Sequence, residues 1–222
     1  MVRGLIFDVD GTLVSLKVDV ETLRSTTARE LLKMGFDASF MDGSNLTTQD
    51  IIDRAKQQVE SGSVKADFVS FRAGLNSALD AIEMDWNARA EPIPGIADVL
   101  IRLRAANVKL ATLTNSGRAP SDWLLRRHDL LQHFDFSLSR DDVTALKPRP
   151  EGIIKAMALM GLPREDVVYV GDSVIDVRAA RAAGIRVASV TTGRYTHERL
   201  RDEGTDYIMG SLTELLELVR SC

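Results

Sequence analysis

Leu5-Ile6-Phe7-Asp8-Val9-Asp10-Gly11-Thr12-Leu13 is the stretch from which the fold is read. Three apolar residues give way at once to two carboxylates and a Gly-Thr turn, so residues 3–8 read as a buried strand that ends in acid. Alternate side chains of a strand share a face. Asp8 and Asp10 therefore start from the same side, and the turn at Gly11 bends Asp10 over the end of the sheet. Two acidic groups held this close resist joint ionisation unless a cation or a shared proton intervenes. The pair implies a metal ion, an acid/base couple, or both.

Downstream of this stretch the chain divides into two textures. Between Leu13 and about Pro92 the apolar spacing is helical and no strand stands out. Helices are predicted over 19–34, from a Thr47-Thr48-Gln49-Asp50 capping box to about Ser61, and over about 66–90, where Phe68, Phe71, Leu75, Ala78, Leu79, Ile82 and Trp86 share one side. From Pro92 the rhythm becomes strand then helix. Strands are predicted at 108–113, 134–138, 167–170, 186–190 and 207–209, with helices at 96–105, 118–131, 151–160, 174–183 and from about 212. Short apolar runs alternating with amphipathic helices imply a parallel sheet covered on both faces.

In an open α/β sheet, ligands bind beyond the carboxyl ends of the strands, near the point where strand order reverses. The polar residues that follow each buried run are therefore the candidates. Strand 108–113 ends in Thr114-Asn115-Ser116, Lys147 follows strand 134–138 and precedes Pro148-Arg149-Pro150, and strand 167–170 ends in Gly171-Asp172-Ser173 with Asp176 beyond. Oxygen-only ligands suit Mg²⁺, which keeps several waters and usually shares its shell with a phosphate oxygen. Thr114 and Lys147 are then placed to hold phosphoryl oxygens, Asp8 to attack as a carboxylate nucleophile, and Asp10 to carry the proton.

These residues, in this order, resemble the haloacid dehalogenase superfamily, and within it the phosphoglycolate-phosphatase-like branch. Asp8-Val9-Asp10-Gly11-Thr12-Leu13 is similar to its first motif, Leu113-Thr114-Asn115-Ser116 to its second, Lys147-Pro148-Arg149-Pro150-Glu151 to its third, and Gly171-Asp172-Ser173-Val174-Ile175-Asp176 to its fourth. The resemblance implies a Rossmann-like three-layer α/β core, residues 1–14 and 92–222, interrupted by an all-helical cap, residues 15–91. It implies Asp8 as nucleophile and metal ligand, and Asp10 as acid/base that also gives its backbone carbonyl to Mg²⁺. It further implies Thr114, Asn115 and Lys147 as phosphate binders, Asp172 as the direct metal ligand, and Asp176 as a support for the metal waters or for Lys147. The implied reaction is Mg²⁺-dependent hydrolysis of a small phosphorylated metabolite through an aspartyl-phosphate, phosphoglycolate being the branch's default substrate. The Asp42-Gly43-Ser44-Asn45-Leu46 loop falls where the branch carries its specificity loop, and as a sequence it is equally good turn chemistry.

A phosphomutase keeps the same four motifs and is marked by transfer between sugar hydroxyls in place of net phosphate release; pyrophosphatase and nucleotidase activities also occur among such capped enzymes. A non-catalytic phosphate-binding module is the alternative of another class, against which the acid at Asp10 argues. Composition by itself fits an enzyme or a binding protein. The chain has 222 residues, 28 Lys plus Arg and 32 Asp plus Glu, a formal charge of -4 and no long basic stripe, so neither a nucleic-acid groove nor a membrane surface is expected. No apolar segment approaches the ~20 residues of a membrane span. Cys222, the single cysteine, is the last residue and cannot close an internal disulfide. The three histidines show no ligand spacing. A cytoplasmic protein without a signal peptide, monomeric or homodimeric, is the expectation.

Overall fold

The computed structural model describes residues 1–16, 18–41 and 46–221. Lys17, residues 42–45 of the Asp42–Leu46 loop and Cys222 lie outside the described residues. The chain forms two compact units, residues 1–17 with 86–222, and residues 18–85.

In chain order the first unit begins with β1 (Gly4–Phe7) and β2 (Val14–Ser15). The second unit then contributes α1 (Val20–Lys33), α2 (Thr48–Glu60) and most of α3 (Phe68–Asn87). The first unit resumes with β3 (Glu91–Pro92), α4 (Ile96–Ala105), β4 (Lys109–Leu113), α5 (Arg118–Arg127), β5 (Phe136–Leu138) and α6 (Glu151–Met160). It closes with β6 (Val167–Gly171), α7 (Val174–Ala183), β7 (Arg186–Val190), α8 (His197–Asp202), β8 (Tyr207–Met209) and α9 (Leu215–Ser221).

Six of these strands make one parallel sheet in the order β5-β4-β1-β6-β7-β8. The order reverses at β1, which pairs with β4 on one side and β6 on the other. The crevice therefore opens over the carboxyl end of β1 and its neighbours, where Asp8, Thr114 and Asp172 follow their strands. Period-2 alternation divides the core into two layers. Leu5, Phe7, Val168 and Val170 face a cluster with Ile96 and Leu100 of α4, Leu124 of α5 and Leu215 of α9. Ile6, Val167 and Tyr169 face the opposite cluster with Ile153 of α6, Val177 and Ala180 of α7 and Leu200 of α8. This is the three-layer α/β arrangement expected from the strand–helix rhythm. Among the described residues no helix is long and apolar enough to cross a membrane.

The second unit is helical. Thr47 and Asp50 form the predicted capping box, the Thr47 hydroxyl accepting from the Asp50 amide at 3.2 Å and the Asp50 carboxylate from the Thr47 amide at 3.0 Å. Phe36 packs on Phe71 of α3 with centroids 4.9 Å apart, over buried Leu31, Ile51 and Leu75.

Three local expectations are corrected. The region from 14 to 92 does carry strand: β2 and β3 pair antiparallel through Val14–Pro92 and Ser15–Glu91. Two residues per strand carry no period to detect. The predicted helix 118–131 ends at Arg127, because Asp129 turns with φ 54°, and Leu131–His133 forms a separate 3₁₀ turn. The short helix α8, capped by the Thr196 hydroxyl on the Arg199 amide, was not foreseen, since its six residues bury one apolar side chain, Leu200.

Candidate functional site

Asp8 is the first residue beyond β1. Its amide still donates to Val170 O at 2.8 Å, so the carboxylate emerges from the sheet while its backbone is held by it. The chain then turns tightly: Leu13 N donates to Val9 O at 2.9 Å and Gly11 N to Val14 O at 2.9 Å. Gly11 has φ 90°, which glycine adopts without strain. The turn brings Asp10 back over the sheet end, where its Oδ2 accepts from the hydroxyls of Ser116 at 2.7 Å and Thr114 at 3.2 Å.

Thr114 and Lys147 arrive from the next two loops. Thr114 N donates to Leu138 O at 3.0 Å, anchoring the residue one step past β4. Asn115 grips the lysine loop at two points, Nδ2 donating to Lys147 O at 3.0 Å and Oδ1 accepting from Lys147 N at 2.9 Å. Both ends of its amide are thus engaged with the lysine backbone. The Lys147 ammonium, buried, donates to Asp8 Oδ1 at 2.6 Å, to Asp176 Oδ1 at 2.7 Å and to the Tyr169 hydroxyl at 2.9 Å.

Asp176 serves two purposes. Its Oδ2 completes a capping box with Ser173 at the start of α7, accepting from Ser173 Oγ at 2.5 Å and Ser173 N at 3.1 Å. Its Oδ1 takes Lys147 and the Tyr169 hydroxyl, the latter at 3.1 Å. Asp172 follows β6; its Oδ1 accepts from the Thr12 hydroxyl at 3.3 Å.

The charges do not balance. Asp8, Asp172 and Asp176 are buried with ligand oxygens all within 4.8 Å of one another, and Lys147 pairs with two of them, Asp8 and Asp176. Burial, then the charge of Asp176, pushes the Asp8 carboxyl well above the ordinary range, against the pull of Lys147. Burial and Asp176 likewise raise Asp172 to about 7. Burial alone would lower the Lys147 ammonium, but Asp176 and Asp8 more than reverse this and hold it charged. One ammonium cannot neutralise three carboxylates, so the lysine stays protonated while the acids resist ionising together. Asp10 is raised by burial as well, with Ser116 and Thr114 pulling the other way.

Buried oxygen donors with excess negative charge are the setting for a hard divalent cation. Asp8 and Asp172 are the donors best placed to hold one, since both oxygens of Asp176 already accept hydrogen bonds. The Asp172 carboxylate is confined between two glycines. A methyl at Gly11 would stand 2.5 Å from Asp172 Oδ2, and one at Gly193, in the loop after β7, would overlap that oxygen outright. Gly193 lies outside the left-handed region, so its requirement is for space alone. Thr192 ties this loop down by donating to Gly11 O at 2.8 Å. Gly193→Ala is therefore expected to displace Asp172 and weaken binding of Mn²⁺ or Mg²⁺ by about 10- to 100-fold, read by isothermal titration, with little change in melting temperature. Unchanged metal affinity would refute this account of the loop.

All seven residues singled out in the sequence, Asp8, Asp10, Thr114, Asn115, Lys147, Asp172 and Asp176, meet at the carboxyl ends of β1, β4 and β6. Sequence reasoning missed Ser116, Tyr169 and Gly193. Ser116 lay within a quoted motif and carried a hydroxyl; the other two gave no local sign.

An acid-rich crevice at the switch point of a doubly wound parallel sheet is where folds of this class bind their ligands. The chain belongs to the haloacid dehalogenase-like hydrolases, whose family model matches residues 5–190. It is 31% identical over 221 residues to Phosphoglycolate phosphatase 1 of Pseudomonas aeruginosa, covering 96% of this chain and 78% of that protein. Similarity at 32% identity to a Caldanaerobacter subterraneus protein assigned as pyrophosphatase PpaX spans 57% of this chain and 58% of the relative, less than two thirds of its length. The crystal structure of a Bacteroides fragilis protein assigned as a haloacid dehalogenase-like hydrolase superposes with a TM-score of 0.68 at 25% identity, covering 97% of this chain and 100% of that one.

Proposed function

We propose that the protein is a Mg²⁺-dependent phosphomonoesterase that hydrolyses a small phosphorylated metabolite through a phosphorylated Asp8. The observation that carries the reading is the Lys147–Asp8 contact of 2.6 Å beside a second carboxyl, Asp10, whose ionisation burial opposes. Asp8 Oδ attacks phosphorus and the bond from phosphorus to the ester oxygen breaks. Asp10, its pKa raised and so able to hold a proton nearer neutrality, delivers that proton to the leaving oxygen. Water then attacks the phosphoryl group on Asp8, Asp10 takes its proton, and the bond from phosphorus to Asp8 breaks, freeing phosphate and the carboxylate.

Mg²⁺, when bound, supplies the charge that lets Asp8 ionise and that offsets the phosphoryl oxygens. Lys147 holds Asp8 in place and adds positive charge where it is needed. Thr114 offers a hydroxyl one step from β4, and Asn115 keeps Lys147 in position through its backbone. Residues 15–91 serve as the helical cap that limits access of water, with residues 1–14 and 92–222 as the core. The Pseudomonas aeruginosa relative supports phosphoglycolate as the first substrate to try, and the Caldanaerobacter subterraneus relative supports pyrophosphate as the second.

The test is phosphate release from a panel of phosphorylated metabolites, with phosphoglycolate and pyrophosphate included. Release from at least one compound is expected with Mg²⁺, silence in EDTA, and recovery on adding Mg²⁺ back. Turnover that is indifferent to EDTA would remove the cation from the proposal, and transfer between sugar hydroxyls without net release would make the protein a mutase.

A further inference from the structure

β6 runs Val167-Val168-Tyr169-Val170, and position 169 faces the layer formed with Ile6, Ala111, Leu113, Ile153 and Val177. A phenylalanine would suit such surroundings, because a buried hydroxyl costs free energy unless it is hydrogen-bonded. Tyr169 is nonetheless fully buried, and its hydroxyl has three partners. It accepts from Lys147 Nζ at 2.9 Å and lies within donating distance of Asp176 Oδ1 at 3.1 Å and Leu113 O at 3.2 Å. Leu113 is the residue immediately before Thr114. One phenol therefore joins the end of β4, the lysine loop and the first turn of α7.

An ammonium has three N–H groups. Those of Lys147 go to Asp8, Asp176 and Tyr169, so three fixed acceptors from three elements define the position of Nζ. Without the phenol, two carboxylates remain. Two acceptors leave the ammonium free to swing about the line between them, and its third proton is left unpaired in a buried site. Burial keeps the phenol well above its ordinary pKa, so it stays a neutral acceptor that does not compete for the lysine's charge.

We propose that Tyr169 is a positioning residue of the reaction, the third point that holds the Lys147 ammonium where the transferring phosphoryl group needs it. The inference rests on the phosphoryl-transfer reading given above. The phenol touches neither substrate nor the reacting atoms; it acts through Lys147.

Tyr169→Phe keeps the ring and removes only the hydroxyl. With p-nitrophenyl phosphate as substrate and Mg²⁺ present, kcat is expected to fall by about 10- to 100-fold, as for a catalytic group displaced by a fraction of an ångström to an ångström, with KM changed by less than about threefold. Orthovanadate, which mimics the five-coordinate phosphoryl group, should inhibit the variant more weakly by about the same factor, while inhibition by inorganic phosphate barely moves. Thermal melts run alongside separate this from packing. A lower melting temperature with kcat and vanadate inhibition both intact would make Tyr169 merely structural and overturn the inference. Wild-type protein that neither turns over p-nitrophenyl phosphate nor responds to vanadate would instead overturn the phosphoryl-transfer reading, and this inference with it.

Discussion

Asp8→Asn is expected to cut phosphate release by about 10³-fold or more and, in the same protein freed of metal, to raise the melting temperature. The loss of turnover follows from losing the attacking oxygen: an amide of the same shape still accepts from Lys147 but is a poor nucleophile. The gain in stability follows from electrostatics. Burial and Asp176 lift the Asp8 pKa in the folded protein well above its unfolded value. A carboxyl shifted upward opposes folding once the pH exceeds its unfolded pKa, and this penalty is absent in more acid solution, where folded and unfolded states are both protonated. Removing the acid therefore helps at pH 8 and does nothing near pH 3. Relief worth each kcal/mol raises the melting temperature of a chain this size by about 2–4 °C. Melts in EDTA at the two pH values, beside a phosphate-release assay, check both halves. Retained turnover sinks the nucleophile, and a lower melting temperature at pH 8 sinks the account of crowded charge.

Lys147→Met should do the opposite to stability. It leaves Asp8 and Asp176 without the cation they share, and stripping one partner from a buried ion pair costs about 3–5 kcal/mol. The ammonium is held charged above the ordinary lysine range, so its contribution is complete below that range and is lost only as the pH rises through the folded value. Across pH 5 to 9 the lysine side is therefore constant. The carboxylate side is not: as the solution becomes more acid, Asp8 and Asp172, both raised by burial, take up protons and the variant's deficit shrinks. Urea melts should show the largest gap from wild type at pH 8, a smaller one at pH 5, and a narrowing on adding Mg²⁺. Equal stability at pH 8 would show that the cluster does not depend on its lysine. Turnover should be lost at every pH.

Much of this site was legible because its residues break a local pattern. Asp8, Thr114 and Asp172 each end a run of buried apolar residues, and a polar side chain there cannot be serving the core. Lys147 carries a weaker local mark, standing between a short strand and two prolines. The parallel sheet was legible for the same reason, since β1 and β6 are apolar runs and β4 is one broken, after its first residue, only by Thr112, with helices between them. β2 and β3 were not, because two residues cannot display a period and their pairing joins positions separated by the whole helical unit. Tyr169 was hidden by its neighbours: alternation among valines reads as packing, and nothing local reveals a lysine 22 positions earlier in the chain. Gly193 sits in a Thr-Thr-Gly-Arg turn whose plain reading is flexibility, whereas its function is to leave room for a carboxylate.

Taken alone, then, the order of residues determined the six strands of the parallel sheet and which acids and bases stand beyond them, because burial and backbone periodicity act over a few neighbours. Only the tertiary structure decided how those groups share one another's charge. It put two carboxylates and a phenol around a single ammonium, with a third carboxylate close by, and pressed two glycines against Asp172. Such relations depend on distances between separate loops, and Coulomb and contact forces act across those distances whatever the separation along the chain. The stretch from Leu5 to Leu13 names the two acids; the loops after β4, β5 and β6 supply the hydroxyls, the ammonium and the further carboxylates that surround them.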